Sequence, residues 1–183
     1  MELRRALAKA GFRVHPWRQG MNWGARADTL ERLERALDLC GAEQPVVVVG
    51  WSLGGLYARE LARAAPDRVR AVVTLGSPIW GDRRRYTNVW KLYERIAGHP
   101  VDQPPIPDSE EKPPVPTLAI WSRRDGIVAA PSARGTEANR DKAVEISSSH
   151  MGYAVSRKGT RLAVAEIVKF LRETEGTEQE SAS

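Results

Sequence analysis

Hydrophobic positions follow two rhythms along this chain. Leu3, Ala6, Leu7 and Ala10 share one face at helical spacing and Gly11 follows them, which predicts a helix over 2–10. Residues 28–40 form the clearest amphipathic pattern, with Leu30, Leu33, Leu37 and Cys40 on one stripe, an Asp28/Glu31 pair resembling a capping box, and Gly41 at the far end. Between these helices "FRVHPW" (12–17) reads as a short strand, Pro16 near its end fitting an edge or a strand terminus better than a sheet centre, and "RQGMNWG" (18–24) as a loop. "PVVVVG" (45–50) is a continuous β-branched run, the pattern of a strand buried on both faces. A helix over 53–65 ends at Pro66, and "VRAVVTL" (69–75), "PTLAIWS" (116–122) and "DKAVEIS" (141–147) are further strands. The segment 80–115 holds a helix near 86–96, followed by a proline- and acid-rich excursion. A last helix covers 156–173, and the tail "TEGTEQESAS" (174–183), without an apolar side chain to bury, is expected to be disordered. Strands alternating with helices predict a single α/β domain over 1–173 with a mostly parallel sheet.

Composition narrows the class further. No apolar run approaches the ~20 residues that span a bilayer, and "MELRRALAKAG" has no signal-peptide core, so the expectation is a cytoplasmic protein without an integral membrane segment. The lone cysteine, Cys40, forms no internal disulfide and continues a buried stripe. The net charge of +5 raises the question of nucleic acid, but the basic residues are scattered and no binding motif accompanies them, so no nucleic-acid partner is expected. Attraction to anionic lipid or acidic substrates stays open.

Candidate chemistry centres on "GWSLGG" (50–55). A serine between glycines, where a buried strand turns into a helix, is a nucleophile elbow: the small neighbours permit a tight, strained turn that lifts the hydroxyl above the sheet. The string alone is common; its strand-before, helix-after setting makes it specific. A phosphate-binding loop is the alternative, but neither a P-loop lysine nor G-x-G-x-x-G is present. A serine nucleophile needs a base and an orienting carboxylate. Of the three histidines, His15 sits in a strand before the serine and His99 in the proline-rich segment, whereas His150 follows the last strand. Asp125 lies just beyond strand 116–122; Asp102 and Asp108 fall in the irregular segment and rank below it. The order Ser52, Asp125, His150 is the order of the strand–elbow–helix hydrolases. The helix after Ser52 would turn the Leu53 N–H toward developing oxyanion charge. Trp51 and Trp80 stand near the expected mouth as candidate walls of an acyl pocket, with core or lid packing as the alternative for each.

With those positions in place the chain resembles the α/β-hydrolase superfamily, in particular its bacterial esterase/lipase-like members, through "VVVVGWSLGGLYARELA", "VVTLGSP", "SRRDGIV" and "SSSHMG". The resemblance covers most of residues 1–172. It implies a three-layer α/β-hydrolase-type sheet with helices on both faces, an acyl-enzyme on Ser52 with His150 as base and Asp125 as orienting acid, and a lid-like insertion at about 80–115. No metal or cofactor is implied, and the partner is a small-molecule or lipid-like ester. The family pattern also has N-terminal strands and a glycine-containing loop, supplying a second oxyanion donor, ahead of the helix that starts here at Glu2. The expectation is therefore a sheet lacking those strands, as a wrong start codon, a truncated gene or a short enzyme would each produce. Either "FRVHPW" takes the missing place beside Val46–Val49 in a five-strand sheet, or a gap remains. Two functions follow. One is a serine esterase, slowed by ~10²–10³ for a lost oxyanion donor. The other is a hydrolase-like binding domain with weak activity or none.

Overall fold

Helices and strands alternate along most of the chain. In the computed structural model, which describes residues 1–17 and 22–181, the elements run α1 (Glu2–Lys9), α2 (Thr29–Cys40), β1 (Val46–Trp51), α3 (Leu53–Ala64), a 3₁₀ turn (Pro66–Arg68), β2 (Val69–Leu75), α4 (Arg83–Tyr86), α5 (Trp90–Ala97), β3 (Thr117–Trp121), α6 (Ala130–Arg134), β4 (Lys142–Glu145), α7 (Gly152–Val155) and α8 (Arg157–Ser181). The four strands among the described residues are parallel and stand in the order β1-β2-β3-β4, so each connection steps to the adjacent strand. Their carboxyl ends therefore all emerge on one rim.

Alternation along the strands divides the core into two layers. Ala71, Val73, Leu75, Leu118 and Ile120 face α1 and α8, meeting Leu3, Leu7, Ile167 and Phe170. Val69 and Val72 face α2 and α3, meeting Leu33, Leu37, Tyr57 and Leu61. Burying each of the valine, leucine, isoleucine and phenylalanine side chains among them contributes about 1.5–3 kcal/mol. The two-sided burial expected of Val46–Val49 belongs instead to β2 and β3; β1 is half-buried because it forms the sheet edge. The β1 backbone finds no second strand among the described residues.

The segment "FRVHPW" does not fill that place. Residues 12–17 form no strand, so neither the edge-strand expectation nor the five-strand sheet holds. Phe12 and Val14 pack on the α1/α8 layer, which satisfies their side chains without a ladder, and Pro16 has no N–H to give one. Of the loop expected at 18–24, residues 18–21 lie outside the described residues. The Asp28/Glu31 box does not close: Asp28 makes no side-chain cap, and Glu31 pairs with Arg35 one turn on. Gly41 does end α2 in the left-handed conformation. At the C-terminus α8 continues through Ser181, into the stretch expected to be disordered. Thr174 Oγ1 donates to Leu171 O within that helix, and Glu175 pairs with Arg70 of β2, so polar contacts extend a helix that apolar burial does not. No helix of the described residues is long and apolar enough to cross a membrane.

Residues 80–115 leave the sheet after β2 and return to it at β3, carrying α4 and α5 as a cap over the rim. The cap is pinned at both ends. At its start, Asn88 N–H donates to Ile127 O, Ala129 N–H to Tyr86 O, and Thr87 bridges Val128. At its return, Arg59 of α3, only 1% exposed, donates to the carbonyls of Asn139, Glu110 and Glu111 at 2.7–2.9 Å. Burial, reinforced by Arg63, pushes the Arg59 guanidinium down to about 10, so it remains a cation at neutral pH. Replacing it removes a cation that three carbonyls depend on. Arg59→Met is expected to lower stability by about 2–4 kcal/mol, read as a fall in urea midpoint at unchanged m-value; a shift under about 0.5 kcal/mol would show that the cap return is held by other contacts.

Candidate active site

Backbone strain marks the site first. Ser52 has φ 55° and ψ −125°, the one non-glycine positive φ among the described residues. Such geometry costs on the order of 1–3 kcal/mol and survives only where neighbours enforce it. Here Ser52 N–H donates to Leu75 O at the end of β2, and Gly55 N–H closes the first turn of α3 on Ser52 O. The serine thus stands at the carboxyl end of β1 and the start of α3, where the first N–H groups have no partner within the helix. Leu53 N–H is the first of these.

The glycines around it do different things. A Cβ on Gly50 would collide with the carbonyl of Gly54, and one on Gly55 with the Ser77 side chain, its Cβ 2.7 Å away. A Cβ on Gly54 would meet nothing within 4 Å. The close approach therefore needs Gly50 and Gly55, the latter outside the five-residue motif, rather than the symmetric pair Gly50 and Gly54.

Asp125 and His150 come from the loops after β3 and β4 and are each 4% exposed. His150 Nδ1 lies 2.9 Å from both carboxylate oxygens of Asp125. Asp125 Oδ1 also accepts the N–H groups of Ile127 (3.0 Å) and Val128 (2.7 Å), and His150 N–H donates to Asp125 O. The carboxylate is therefore locked from three sides, with the imidazole as its side-chain partner. Ser122 Oγ accepts the N–H groups of Arg124 and Ser148, tying the two loops together.

Two residues that the sequence did not single out shape this pair. Gly76, at the end of β2, has φ 54°; a Cβ there would lie 2.6 Å from Asp125 Oδ2, 2.7 Å from the Tyr153 ring and 3.3 Å from His150 Nδ1. Its signal in the sequence is a glycine directly after a fully buried strand. Tyr153 is fully buried with its ring edge-on to His150, and burial together with the Asp125 charge raises its pKa. Ser52 adjoins the pair through Trp51, whose Nε1–H donates to His150 O and whose ring lies 5.5 Å from the imidazole. No hydrogen bond joins the Ser52 hydroxyl to His150 among the described residues.

A largely apolar cavity opens beside Ser52 under the cap. Its walls include Leu56 and Tyr57 of α3, Trp90 and Tyr93 of α5, and Ile106 and Val128. Arg83 and Asp108, joined as a bidentate ion pair, provide its charged wall. Neither Trp51 nor Trp80 lines it: Trp51 packs against His150, and Trp80 stacks on Tyr86 at 5.9 Å. The cap's Trp90 takes the place expected of them, because the return of the cap over the rim determines which ring faces inward. His15 is exposed, and His99 contacts Tyr93 and Pro100 within the cap. Asp102 pairs with Arg84. Among the described residues no group of three or more His, Cys, Asp or Glu could hold a metal ion.

Alanine at these glycines separates crowding from open space. Gly50→Ala, Gly55→Ala and Gly76→Ala are each expected to cost about 1–3 kcal/mol in denaturant unfolding. Gly54→Ala should stay within about 0.5 kcal/mol of the parent. An equal loss at all four would contradict the close approach described.

Comparison with known proteins agrees with this architecture. A family model described as the alpha/beta hydrolase fold matches residues 18–105. Pimeloyl-[acyl-carrier protein] methyl ester esterase of Citrobacter koseri is 37% identical over 71 residues, 38% of this chain. The matched stretch spans only about a quarter of that relative's length, 27%. The crystal structure of a pyrethroid hydrolase superposes with a TM-score of 0.60 at 17% identity, over 94% of this chain and 92% of the other. Naproxen esterase from Bacillus subtilis superposes with a TM-score of 0.54 at 16% identity, over 86% and 71% of the two chains. The chain is an α/β-hydrolase-fold protein, similar in sequence to an esterase.

Proposed function

We propose that the chain hydrolyses carboxylic esters through an acyl-enzyme on Ser52. The observation that carries this reading is the buried Asp125–His150 pair on the same sheet rim as the strained Ser52. With Nδ1 committed to Asp125, the imidazole keeps Nε2 free to accept a proton. Ser52 Oγ attacks the ester carbonyl carbon as its proton passes to Nε2, giving a tetrahedral oxyanion. Leu53 N–H donates to that oxygen, aided by the positive end of α3. Collapse breaks the bond to the alcohol oxygen, which takes the proton from His150. Water, deprotonated by the same imidazole, then attacks the acyl carbon and restores Ser52. The attack requires the Ser52 hydroxyl to come within hydrogen-bond reach of Nε2 as the substrate seats.

The cavity beside Ser52 favours a substrate whose acyl or alcohol part is apolar. The name of the Citrobacter koseri relative, a methyl ester esterase, supports the same bond type. We place the protein in the cytoplasm on its single cysteine, Cys40.

A fluorophosphonate probe, with p-nitrophenyl butyrate hydrolysis alongside, tests this. Labelling is expected to vanish in Ser52→Ala and persist in Cys40→Ala. Asp125→Asn should lower kcat by on the order of 10⁴ while leaving the fold intact, since the imidazole loses its tautomer and aim. A folded protein that neither labels nor hydrolyses would overturn the reading in favour of a binding domain.

A further inference from the structure

The cap helix α5 has two apolar faces, and only one is used by the cavity. Trp90 and Tyr93 point inward. Leu92 and Ile96, one turn apart, point outward and are 57% and 43% exposed. The 22–25 loop abuts the same helix so closely that a Cβ on Gly24 would sit 2.5 Å from Ala97 Cβ. Trp23, next to Gly24 in that loop, is 59% exposed. Leu92 and Ile96 thus stand in water together on one face of a short helix, where isolated exposure would need no explanation but a paired apolar face does.

Charge narrows the occupant. Lys91 and Arg95, again one turn apart, are exposed and flank Leu92 and Ile96 along α5, the Lys91 ammonium lying 5.4 Å from the Trp90 ring centre. The carboxylate of α5, Glu94, turns away to the Val101 N–H and Arg84. A second copy seated on this face would bring Lys91 and Arg95 against themselves, since a two-fold contact pairs a patch with its own image. Nucleic acid would answer the cations but leave Leu92 and Ile96 exposed. An anionic bilayer answers both, taking apolar side chains below its phosphates and cations among them. We propose that the outward face of α5 docks on an anionic lipid surface. The net charge of +5 attracts the whole molecule in the same sense. On the ester-hydrolase reading, the substrates are apolar esters partitioned into that surface, because the other face of the same helix walls the cavity beside Ser52.

Vesicle co-sedimentation tests the docking without turnover, using the Ser52→Ala protein. Binding is expected to vesicles of phosphatidylcholine mixed with phosphatidylglycerol, to be weak on phosphatidylcholine alone, and to fall with salt. The pairs Leu92→Ser/Ile96→Ser and Lys91→Glu/Arg95→Glu should each reduce it about tenfold, with unchanged circular dichroism and, on the Ser52 background, unchanged hydrolysis of a soluble short ester. Equal binding by parent and variants would overturn the assignment in favour of scattered charge. So would no binding at all, or a concentration-dependent dimer that the same substitutions abolish. Docking by a protein that never labels with fluorophosphonate would sustain this inference while overturning the hydrolase reading.

Discussion

The hydrogen bond between the buried Asp125 carboxylate and His150 Nδ1 is the constraint around which the rim of this molecule is arranged. A carboxylate out of water is costly unless nearly every lone pair finds a donor. Ile127 and Val128 N–H groups, the imidazole and the tight loop after β3 meet that demand. The pairing also requires β3 and β4 to be adjacent and parallel, so that their following loops emerge side by side. It requires a residue without a side chain at the end of β2, where Gly76 leaves room for both groups. Sheet order, strand direction and one glycine are thus parts of a single requirement.

Ser52 reaches that rim by a different route. The strand run Val46–Val49 and the helix α3 meet with almost no intervening chain, and the turn between them holds a serine at a positive φ. The strain is sustained by Leu75 O on one side and the first turn of α3 on the other. Close packing of Gly55 on Ser77 brings α3 down onto β2. The cap completes the enclosure, and its position is dictated by polar ties rather than by a core of its own. Its start is hydrogen-bonded to the loop that carries Asp125, and its return is held by the buried guanidinium of Arg59. The helix that starts at Ser52 therefore anchors, about two turns later, the roof above it.

Local pattern and tertiary context divided the work unevenly. Helices with a clean stripe and a terminal glycine, such as α2, and strands bounded by turn residues, such as β2 and β3, were legible within a residue or two. The Asp125–His150 pair was legible as well, since each follows a strand and the loops are short. "FRVHPW" misled because alternation reports only where side chains point, and Phe12 and Val14 point inward without a ladder. The end of α8 misled in the opposite direction: a segment without apolar residues was read as disordered, yet polar contacts to Leu171 and Arg70 extend the helix.

By itself the sequence determined the class of fold, the strand-to-helix turn at Ser52 and the chain order of the candidate acid and base, because these depend on periodicity, glycine placement and short-range turns. Only the tertiary structure decided that β1 is an edge, that Trp90 rather than Trp51 or Trp80 walls the cavity, and that Gly76 makes room for the buried pair. Those outcomes depend on which surfaces meet across distant parts of the chain, and no local pattern carries that information.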